Sequence, residues 1–368
     1  MSLKIMNGVG ARPNFMKIAP LMAEFKKHPQ IEASLIHTGQ HYDEKMSGLF
    51  FDDLGIPKPD VYLGVGSHNH GTQTGKIMID FEKVLLEDKP DLVVVVGDVN
   101  STIACGLVAV KQGVKLAHVE AGLRSFNRTM PEEVNRVLTD QISDFLFITE
   151  KSGEENLLKE GMDKAKIHFV GNVMIDTLLH HLQRAENSKV LTELNLEPTE
   201  FAVLTLHRPS NVDAKEQFLE IFTALAEIQK RIKIVFPIHP RSRQRLEQFG
   251  LSDRSSELSN LIMTDPLGYL DFLQLMSNAK FVLTDSGGIQ EETTVMNIPC
   301  LTLRQNTERP VTVSQGSNLV IGSRADRIVQ ESMRILNGDF KTGRRPELWD
   351  GRAAERIVNV LTRINPVG

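Results

Sequence analysis

The segment Leu283–Glu292, Leu-Thr-Asp-Ser-Gly-Gly-Ile-Gln-Glu-Glu, contains residue types in an order that could bind a phosphate group. Glycines let a backbone approach an anion closely, and the first turn of a helix presents unpaired N–H groups and a positive dipole end. We predict that Ser286 and Gly287 donate hydrogen bonds to a pyrophosphate, and that Glu292, further along the helix, reaches the ribose hydroxyls of the same nucleotide. A UDP-sugar is a ligand that would fit this arrangement.

Acidic, cationic and imidazole side chains follow several apolar runs of the chain, where strands are predicted to end. These residues are Arg12, Lys17, Asp98, Glu120, His207, Arg208 and His239. Ligands of open α/β sheets bind at the carboxyl ends of the strands, so residues in these positions are the candidates for chemistry. The pattern predicts one cleft between two sheets, lined by acids, bases and cations.

Most of these candidates also have a structural interpretation. Asp98 could be the N-cap of a helix, and acids such as Glu132 are favoured in the first turn of any helix by its dipole. Glu291 is expected to be structural, and four histidines are expected on the surface: His68, His70, His180 and His181. Gly8-Val9-Gly10 resembles part of a dinucleotide fingerprint, but Pro13 occupies the third glycine position, so we predict no nicotinamide site.

The elements that would position these residues alternate as strand and helix along the chain. The predicted strands are Lys4–Asn7, Ala33–His37, Leu92–Val96, Lys115–Val119, Phe145–Ile148, His168–Val170, Phe201–Leu206, Lys233–Ile238, Leu261–Met263, Phe281–Thr284, Cys300–Leu303 and Leu319–Ile321. Continuous apolar runs such as Leu92–Val96 are typical of parallel strands buried on both faces. We predict Rossmann-like domains over residues 1–185 and 186–350, with a last helix in 351–368 that packs back on the first domain.

Composition sets limits on the class of protein. The 368 residues are 41% hydrophobic and 24% charged, as in a soluble globular chain with two cores. A formal net charge of −5 argues against a nucleic-acid-binding surface, and two cysteines argue against a disulfide framework or a zinc site. We see no membrane span and no targeting leader, and we expect a cytoplasmic protein.

Ordered motifs along nearly the whole chain carry a family resemblance. They are Gly10-Ala-Arg-Pro-Asn-Phe-Met-Lys17, Thr38-Gly-Gln-His41, Gly97-Asp98, His118-Val-Glu-Ala-Gly-Leu-Arg124, Pro131-Glu-Glu-Val-Asn-Arg136, Gly171-Asn172, His207-Arg208, Asp285-Ser-Gly-Gly-Ile-Gln-Glu-Glu292 and Thr307-Glu-Arg-Pro310. With these motifs the chain resembles the non-hydrolysing UDP-N-acetylglucosamine 2-epimerases. The resemblance implies a GT-B fold, two Rossmann-like doubly wound parallel-sheet domains facing across a cleft, and interconversion of UDP-GlcNAc and UDP-ManNAc.

The resemblance also implies roles for individual residues. The expected catalytic residues are Asp98, Glu120, Glu132 and His207. The expected UDP-binding residues are Arg12, Lys17, Arg136, Arg208, His239, Ser286, Gly287, Gly288, Glu292 and Arg309. Gln40 and His41 keep part of the family's effector-site pattern. A homodimer and a role in supplying cell-envelope polysaccharides are implied as well. We expect no cofactor, and no metal either, because side chains supply the cations that neutralise phosphate.

The chemistry of the sugar explains why several acids are needed. The C2 proton is not beside a carbonyl, so inversion requires either oxidation of a neighbouring alcohol or elimination of a leaving group. Since no nicotinamide site is predicted, elimination is favoured: a carboxylate removes the C2 proton, UDP departs to leave 2-acetamidoglucal, and UDP adds back with protonation of the opposite face. Two faces require two proton carriers, for which we select Asp98 and Glu132.

One stretch departs from the family pattern. Many bacterial members continue after His-Arg with Arg-Glu-Asn or Arg-Glu-Ser, whereas this chain has Pro209-Ser-Asn-Val-Asp213. Relatives acting on UDP-2,3-diacetamido-2,3-dideoxyglucuronic acid carry a related stretch, so that sugar is an alternative substrate, and activation by UDP-GlcNAc is left open. A GT-B glycosyltransferase and a nucleotide-sugar sensor are the alternatives from other functional classes.

Overall fold

The chain folds into two compact units in the computed structural model. The structure describes residues 2–39, 55, 58–251 and 257–364, and it leaves the side chain at position 12 undescribed. The first unit comprises residues 1–180 and 347–368, and the second comprises residues 181–346. The C-terminal segment therefore belongs to the first unit, where helix Ala353–Leu361 packs on helix Arg12–Phe25.

The first unit is built on a parallel sheet of seven strands. In chain order the strands are β1 (Leu3–Val9), β2 (Ile31–His37), β3 (Val61–Tyr62), β4 (Leu92–Val96), β5 (Lys115–Ala121), β6 (Phe145–Ile148) and β7 (Ile167–Phe169). Their order across the sheet is β3-β2-β1-β4-β5-β6-β7. The central strand β4 is buried along its whole length, as its unbroken apolar sequence predicts.

Helices connect these strands. Those of the first unit are α1 (Arg12–Phe25), α2 (His70–Asp88), α3 (Asn100–Lys111), α4 (Pro131–Ile142), α5 (Lys151–Lys159) and α6 (Val173–Ala185), which runs into the second unit. A short 3-10 helix spans Lys164–Lys166. Pro131 begins α4 at a position where its missing N–H has no helical partner to lose.

The second unit contains a parallel sheet of six strands. They are β8 (Phe201–Thr205), β9 (Lys233–Pro237), β10 (Leu261–Thr264), β11 (Phe281–Thr284), β12 (Cys300–Thr302) and β13 (Asn318–Val320), in the order β10-β9-β8-β11-β12-β13. The helices are α7 (Val190–Glu193), α8 (Pro209–Val212), α9 (Lys215–Ile228), α10 (Pro240–Gln248), α11 (Tyr269–Ser277), α12 (Gly287–Met296), α13 (Pro310–Ser314) and α14 (Ala325–Leu336). The last helix of the chain, Ala353–Leu361, is α15.

Each sheet has a switch point, where the chain turns from one direction of winding to the other. In the first unit it lies between β1 and β4, and in the second between β8 and β11. Ligands of doubly wound sheets bind beyond the carboxyl ends of the strands at this point. The fold class predicted from the sequence, α/β with two Rossmann-like doubly wound sheets of the GT-B type, is confirmed.

Two predictions about local structure need correction. Strand β3 was missed, because two residues give no recognisable periodicity. His181 is buried against the ring of Tyr269, with 5.8 Å between ring centroids, so its prediction as a surface residue is wrong. Among the described residues no helix has the length and apolar character needed to cross a membrane.

Candidate active site

Asp98 lies at the switch point of the first unit, directly after β4 and Gly97. Its carboxylate accepts a hydrogen bond from Arg136, with 2.5 Å between Oδ2 and Nη2. Arg136 also contacts Glu133, and Arg136 is only 2% exposed. We predicted that Arg136 binds UDP, but here two carboxylates engage its guanidinium, and this geometry suits a residue that orients Asp98.

Glu120 occupies a strained position in β5. Its φ is +76°, which few residues other than glycine adopt, and the pairing of β5 with β6 shifts register between Val119 and Ala121. Glu120 was predicted to follow the strand and instead lies within it, at this irregularity. Bulges are common beside active sites because they redirect a side chain.

Lys17 and Glu120 form a buried ion pair. Lys17 Nζ lies 2.8 Å from Oε1 and 2.7 Å from Oε2 of Glu120, and the two side chains are 7% and 1% exposed. Gly97 leaves room for the ammonium, since an ideal Cβ at this position would lie 3.0 Å from Nζ. The lysine predicted to bind diphosphate is therefore in direct contact with one of the predicted catalytic acids.

Glu132 and Glu133, adjacent in the first turn of α4, have different environments. Glu133 is buried and accepts hydrogen bonds from the backbone and hydroxyl of Ser125, from the backbone of Phe126 and from Arg136. Glu132 is half-buried and makes no hydrogen bond or ion pair with any residue that the structure describes. Of these two acids, Glu132 is the one available to a ligand.

In the second unit, His207 is held by Asp285. His207 Nδ1 lies 2.9 Å from Asp285 Oδ1, and the imidazole side chain is 48% exposed whereas the carboxylate is fully buried. Burial raises the pKa of Asp285, but the contacts with His207, the backbone N–H of Arg208 and Asn211 outweigh it and hold this pKa below its usual value. The ionised carboxylate orients His207 so that Nε2 is left for a ligand.

The segment predicted to bind phosphate, here called the phosphate cradle (Ser286, Gly287 and Gly288), forms the start of α12. Ser286 is the N-cap residue, and Gly287 and Gly288 make up the first turn, whose N–H groups have no helical acceptors. An ideal Cβ at Gly287 would lie 2.6 Å from Nη1 of Arg309, so only glycine lets this guanidinium lie beside the helix start. The cradle thus combines the helix dipole with an arginine.

A cluster of arginines and glutamates surrounds this helix start. Arg309 contacts Glu291 at 2.7 Å and Glu308 at 2.6 Å. Glu308 also contacts Arg304 at 2.8 Å and Arg208 at 3.6 Å. Burial raises the pKa of Glu308, but the arginines outweigh burial and lower it well below its usual value. Three arginines and two glutamates leave one net positive charge, which suits an anionic ligand.

His239 and Glu292, two other predicted UDP-binding residues, also have defined contacts. The imidazole of His239 accepts a hydrogen bond from the backbone N–H of Arg241 and so caps α10. Glu292 is buried and accepts a hydrogen bond from the hydroxyl of Tyr269 at 3.0 Å. Burial, together with the charge of Glu292, raises the pKa of Tyr269, which keeps the phenol protonated as the donor.

Some sequence predictions lie beyond these observations. Gln40 and His41, the predicted effector residues, lie outside the described residues, as does the side chain of Arg12. Within the described ranges, no group of three or more histidine, cysteine, aspartate or glutamate side chains is placed to hold a metal ion.

Sequence reasoning gave no role to Asp285, Glu133 or Tyr269. Asp285 could have been found, because it follows β11 directly and so satisfies the strand-end criterion that selected Asp98. Glu133 and Tyr269 gave no such signal, since their importance depends on contacts with residues distant in sequence.

Comparison with known proteins shows relatives that match nearly the whole chain. Residues 23–362 match the family model described as UDP-N-acetylglucosamine 2-epimerase. A UDP-N-acetylglucosamine 2-epimerase of Methanocaldococcus jannaschii is 44% identical over 96% of this chain and 97% of its own length. A UDP-2,3-diacetamido-2,3-dideoxy-D-glucuronate 2-epimerase of Pseudomonas aeruginosa is 40% identical over 98% of this chain and 100% of its own.

Solved structures extend the similarity to the fold. The crystal structure of the M. jannaschii UDP-GlcNAc 2-epimerase in complex with UDP-GlcNAc and UDP superposes with a TM-score of 0.90 at 44% identity, covering 98% of this chain and 99% of that one. The Neisseria meningitidis UDP-GlcNAc 2-epimerase bound to UDP-GlcNAc gives a TM-score of 0.87 at 29% identity, covering 99% and 100%. The resemblance read from the motifs is confirmed: the chain belongs to the UDP-N-acetylglucosamine 2-epimerase family, isomerases of the non-hydrolysing type.

Proposed function

We propose that this enzyme interconverts UDP-GlcNAc and UDP-ManNAc by elimination and re-addition of UDP. The observation that carries the proposal is the set of acids at the carboxyl edge of the first sheet: Asp98 oriented by Arg136, Glu120 paired with Lys17, and Glu132 available in the first turn of α4. A transferase needs one base and an acceptor groove, and a sensor needs no acids. Three acids on neighbouring elements of one unit favour an epimerase.

Two of these acids would handle the C2 proton. Asp98 and Glu132 are the proton carriers in this proposal, one for each face of the sugar ring. A positioned general acid or base contributes about 10²- to 10⁴-fold to the rate. Lys17 neutralises the charge of Glu120. The site can therefore hold Glu120 beside Asp98 and Glu132 without burying three uncompensated charges.

The second unit would hold the departing UDP. The helix start at Ser286 and Gly287, with Arg309 beside it, binds the diphosphate through N–H groups and a guanidinium. His207, whose Nδ1 lies against Asp285, would present Nε2 to the charge that develops on the leaving group. Retention of UDP by these groups allows it to add back to the glucal.

Solvent exchange tests this function. We would incubate the enzyme with UDP-GlcNAc in D₂O and follow the sugar by proton NMR. We expect UDP-ManNAc to form, with deuterium at C2 of both epimers. Epimerisation without deuterium at C2 would refute proton removal, and glycosylation of an acceptor in place of epimerisation would identify a transferase.

UDP-2,3-diacetamido-2,3-dideoxyglucuronic acid is the alternative substrate. It is supported by the 40% identity to the P. aeruginosa enzyme of that name and by the stretch Pro209–Asp213. Asp213 of this stretch pairs with Arg241 and Arg245 of α10, so the departure from the bacterial pattern is accommodated within the second unit. Deuterium exchange at C2 of this uronic acid, without exchange at C2 of UDP-GlcNAc, would identify the uronic acid as the substrate.

A homodimer is part of the same proposal. Large apolar side chains are exposed on three helices of the first unit that pack side by side: Ile79 and Leu86 on α2 are 60% and 52% exposed, and Val110 on α3 and Val134 and Leu138 on α4 are also exposed. Such a surface is typical of a self-association site. We expect a dimer in sedimentation and a monomer when Ile79 and Leu138 are both changed to Asp.

A cytoplasmic location and a role in supplying cell-envelope glycans also belong to this proposal. The location is the expectation drawn from the sequence, and the role in glycan supply is taken from the family resemblance. Fractionation of cells of the source organism would test the location.

A further inference from the structure

A buried pair of side chains, His118 on β5 and Asp140 on α4, lies beneath two of the predicted catalytic acids. Both residues are fully buried, and His118 Nδ1 lies 2.6 Å from Asp140 Oδ1. Neither residue has a part in the mechanism above. Burying two ionisable groups is costly unless each is fully hydrogen-bonded, so the pair calls for an explanation.

The hydrogen bonds of His118 use both of its ring nitrogens. Its Nε2 lies 2.8 Å from the carbonyl oxygen of Gly97, which can only accept. Its Nδ1 faces Asp140, whose other oxygen also receives donors. Burial raises the pKa of Asp140, but His118 and Arg124 outweigh burial and lower it, so the carboxylate is ionised. Both ring nitrogens of His118 therefore face oxygen atoms of buried neighbours, Asp140 at Nδ1 and Gly97 at Nε2.

Asp140 Oδ2 reaches a second segment of backbone. It accepts from the N–H of Gly122 at 3.1 Å and from Arg124 Nη2 at 2.7 Å. Arg124 in turn forms a bidentate pair with Glu160, at 2.8 and 2.6 Å. Asp140 and Arg124 thus link His118 to Glu160 in one continuous network.

The two backbone segments held by this network are those that carry Asp98 and Glu120. Gly97, the residue before Asp98, has φ +67°, and its N–H also donates to Val119 in β5. Gly122 follows Glu120 closely and has φ +79°. The left-handed conformation of Glu120 persists only if surrounding contacts impose it. The His118–Asp140 pair supplies such contacts on both sides.

We propose that His118 and Asp140 are positioning residues that fix the spacing between the Asp98 and Glu120 carboxylates. Asp140 acts through Gly122 on the strand end that carries Glu120, and His118 acts through the Gly97 carbonyl on the turn that carries Asp98. This inference rests on the proposed function, because it assumes that both acids act on the sugar. A shift of about 1 Å in a reacting group lowers rates by about 10²-fold.

Two substitutions at His118 separate its contacts. In His118→Gln the amide nitrogen takes the place of Nε2 and keeps the bond to Gly97, whereas in His118→Asn it takes the place of Nδ1 and keeps the bond to Asp140. Asp140→Asn removes the charge of the pair. We expect each variant to lose about 10- to 100-fold in kcat, with KM and UDP affinity within about threefold of wild type. The acids would be misplaced while the UDP cradle is unchanged.

Glu160→Gln is the matched control. It alters the far end of the network, at a partly exposed carboxylate, and leaves the contacts to Gly97 and Gly122 in place. We expect its kcat within about twofold of wild type. UDP binding and thermal unfolding verify that each variant is folded.

The outcomes distinguish this inference from the function on which it rests. A wild-type enzyme without epimerase activity contradicts the proposed function. An active wild type with a folded His118→Gln, His118→Asn or Asp140→Asn variant of near wild-type kcat contradicts only the positioning role. Loss of folding in all three variants would also overturn it, because the pair would then serve stability alone.

Discussion

Asp285→Asn tests most sharply whether the Asp285 carboxylate of the second unit orients His207 for catalysis. The carboxylate receives five donor contacts. At Oδ1 these are His207 Nδ1 at 2.9 Å and the His207 N–H at 3.2 Å, and at Oδ2 they are the N–H groups of His207 and Arg208 and the side chain of Asn211, at 3.0–3.1 Å. Asparagine has the same shape but presents an acceptor on one side only.

The geometry decides which side keeps the acceptor. Three donors meet at Oδ2 and two at Oδ1, so the amide oxygen is expected at the Oδ2 position. The amide nitrogen then faces His207 Nδ1, which can accept only if it gives up its proton. One donor facing another costs about 2 kcal/mol of unfolding free energy, a cost that the His207 tautomer with its proton on Nε2 avoids. In either case, no carboxylate lies beside His207 Nδ1.

We expect kcat to fall by about 10²-fold or more, because an imidazole without a carboxylate beside Nδ1 is less well oriented and stabilises the charge on departing UDP less. The stability difference depends on pH. The pKa of Asp285 is depressed in the folded state, so its stabilising contribution is present above the unfolded pKa and is lost as the pH falls through the folded pKa. The unfolding free energies of wild type and variant should therefore differ at neutral pH and converge in acid.

Urea unfolding at several pH values, with kcat measured in parallel, provides the test. Asp213→Asn is the control, since it changes an acid to an amide in the same unit at a partly exposed pair with Arg241, where an effect below about 1 kcal/mol is expected. A folded Asp285→Asn enzyme with kcat within threefold of wild type would refute the reasoning.

Three other substitutions test separate parts of the account. Lys17→Met removes the ammonium group beside the buried carboxylate of Glu120 and should cost about 3–5 kcal/mol in urea unfolding, most of which the added Glu120→Gln change should restore. Asp176→Asn should flatten the pH dependence of stability: burial raises the Asp176 pKa to about 6, so wild type should lose up to about 3 kcal/mol relative to the variant as the pH rises from about 4 to above 6. Gly287→Ala places a methyl group against Arg309 and should weaken UDP binding about tenfold in calorimetry.

Each of these has a contrasting control or outcome. Lys27→Met removes an exposed partner of Glu24 and should change stability by less than about 1 kcal/mol. Gly75→Ala adds a methyl group in open space on α2 and should leave UDP affinity unchanged. Parallel pH profiles for wild type and Asp176→Asn would contradict the raised pKa.

Much of the fold could be predicted from the sequence because its signals are local. Unbroken apolar runs such as Leu92–Val96 identify central parallel strands, and the glycines of the α12 start identify a helix that can bind an anion. Strand β3 has 2 residues, which are too few to show a repeating pattern of apolar and polar side chains. Its place beside β2 follows from pairing with a neighbour, which local sequence does not encode.

The site was less accessible to sequence reasoning where tertiary contacts decide the conformation. Nothing local indicates that Glu120 adopts φ +76° within a strand, because glutamate has no preference for that region. One partner of Arg136 proved to be Asp98, 38 residues away in the chain. Residue type predicted that both would lie at the site, but their pairing depends on how α4 packs against α3 and β5.

The breaking and remaking of the bond between the sugar and the diphosphate is the central claim, and positional isotope exchange tests it most directly. UDP-GlcNAc would carry ¹⁸O in the bridge between C1 and the β-phosphorus, and phosphorus NMR would follow the label during epimerisation. The account predicts that ¹⁸O moves into the non-bridging β-phosphate oxygens as UDP-ManNAc forms, because bound UDP can rotate before it adds back. Epimerisation with the label retained entirely in the bridge would contradict it.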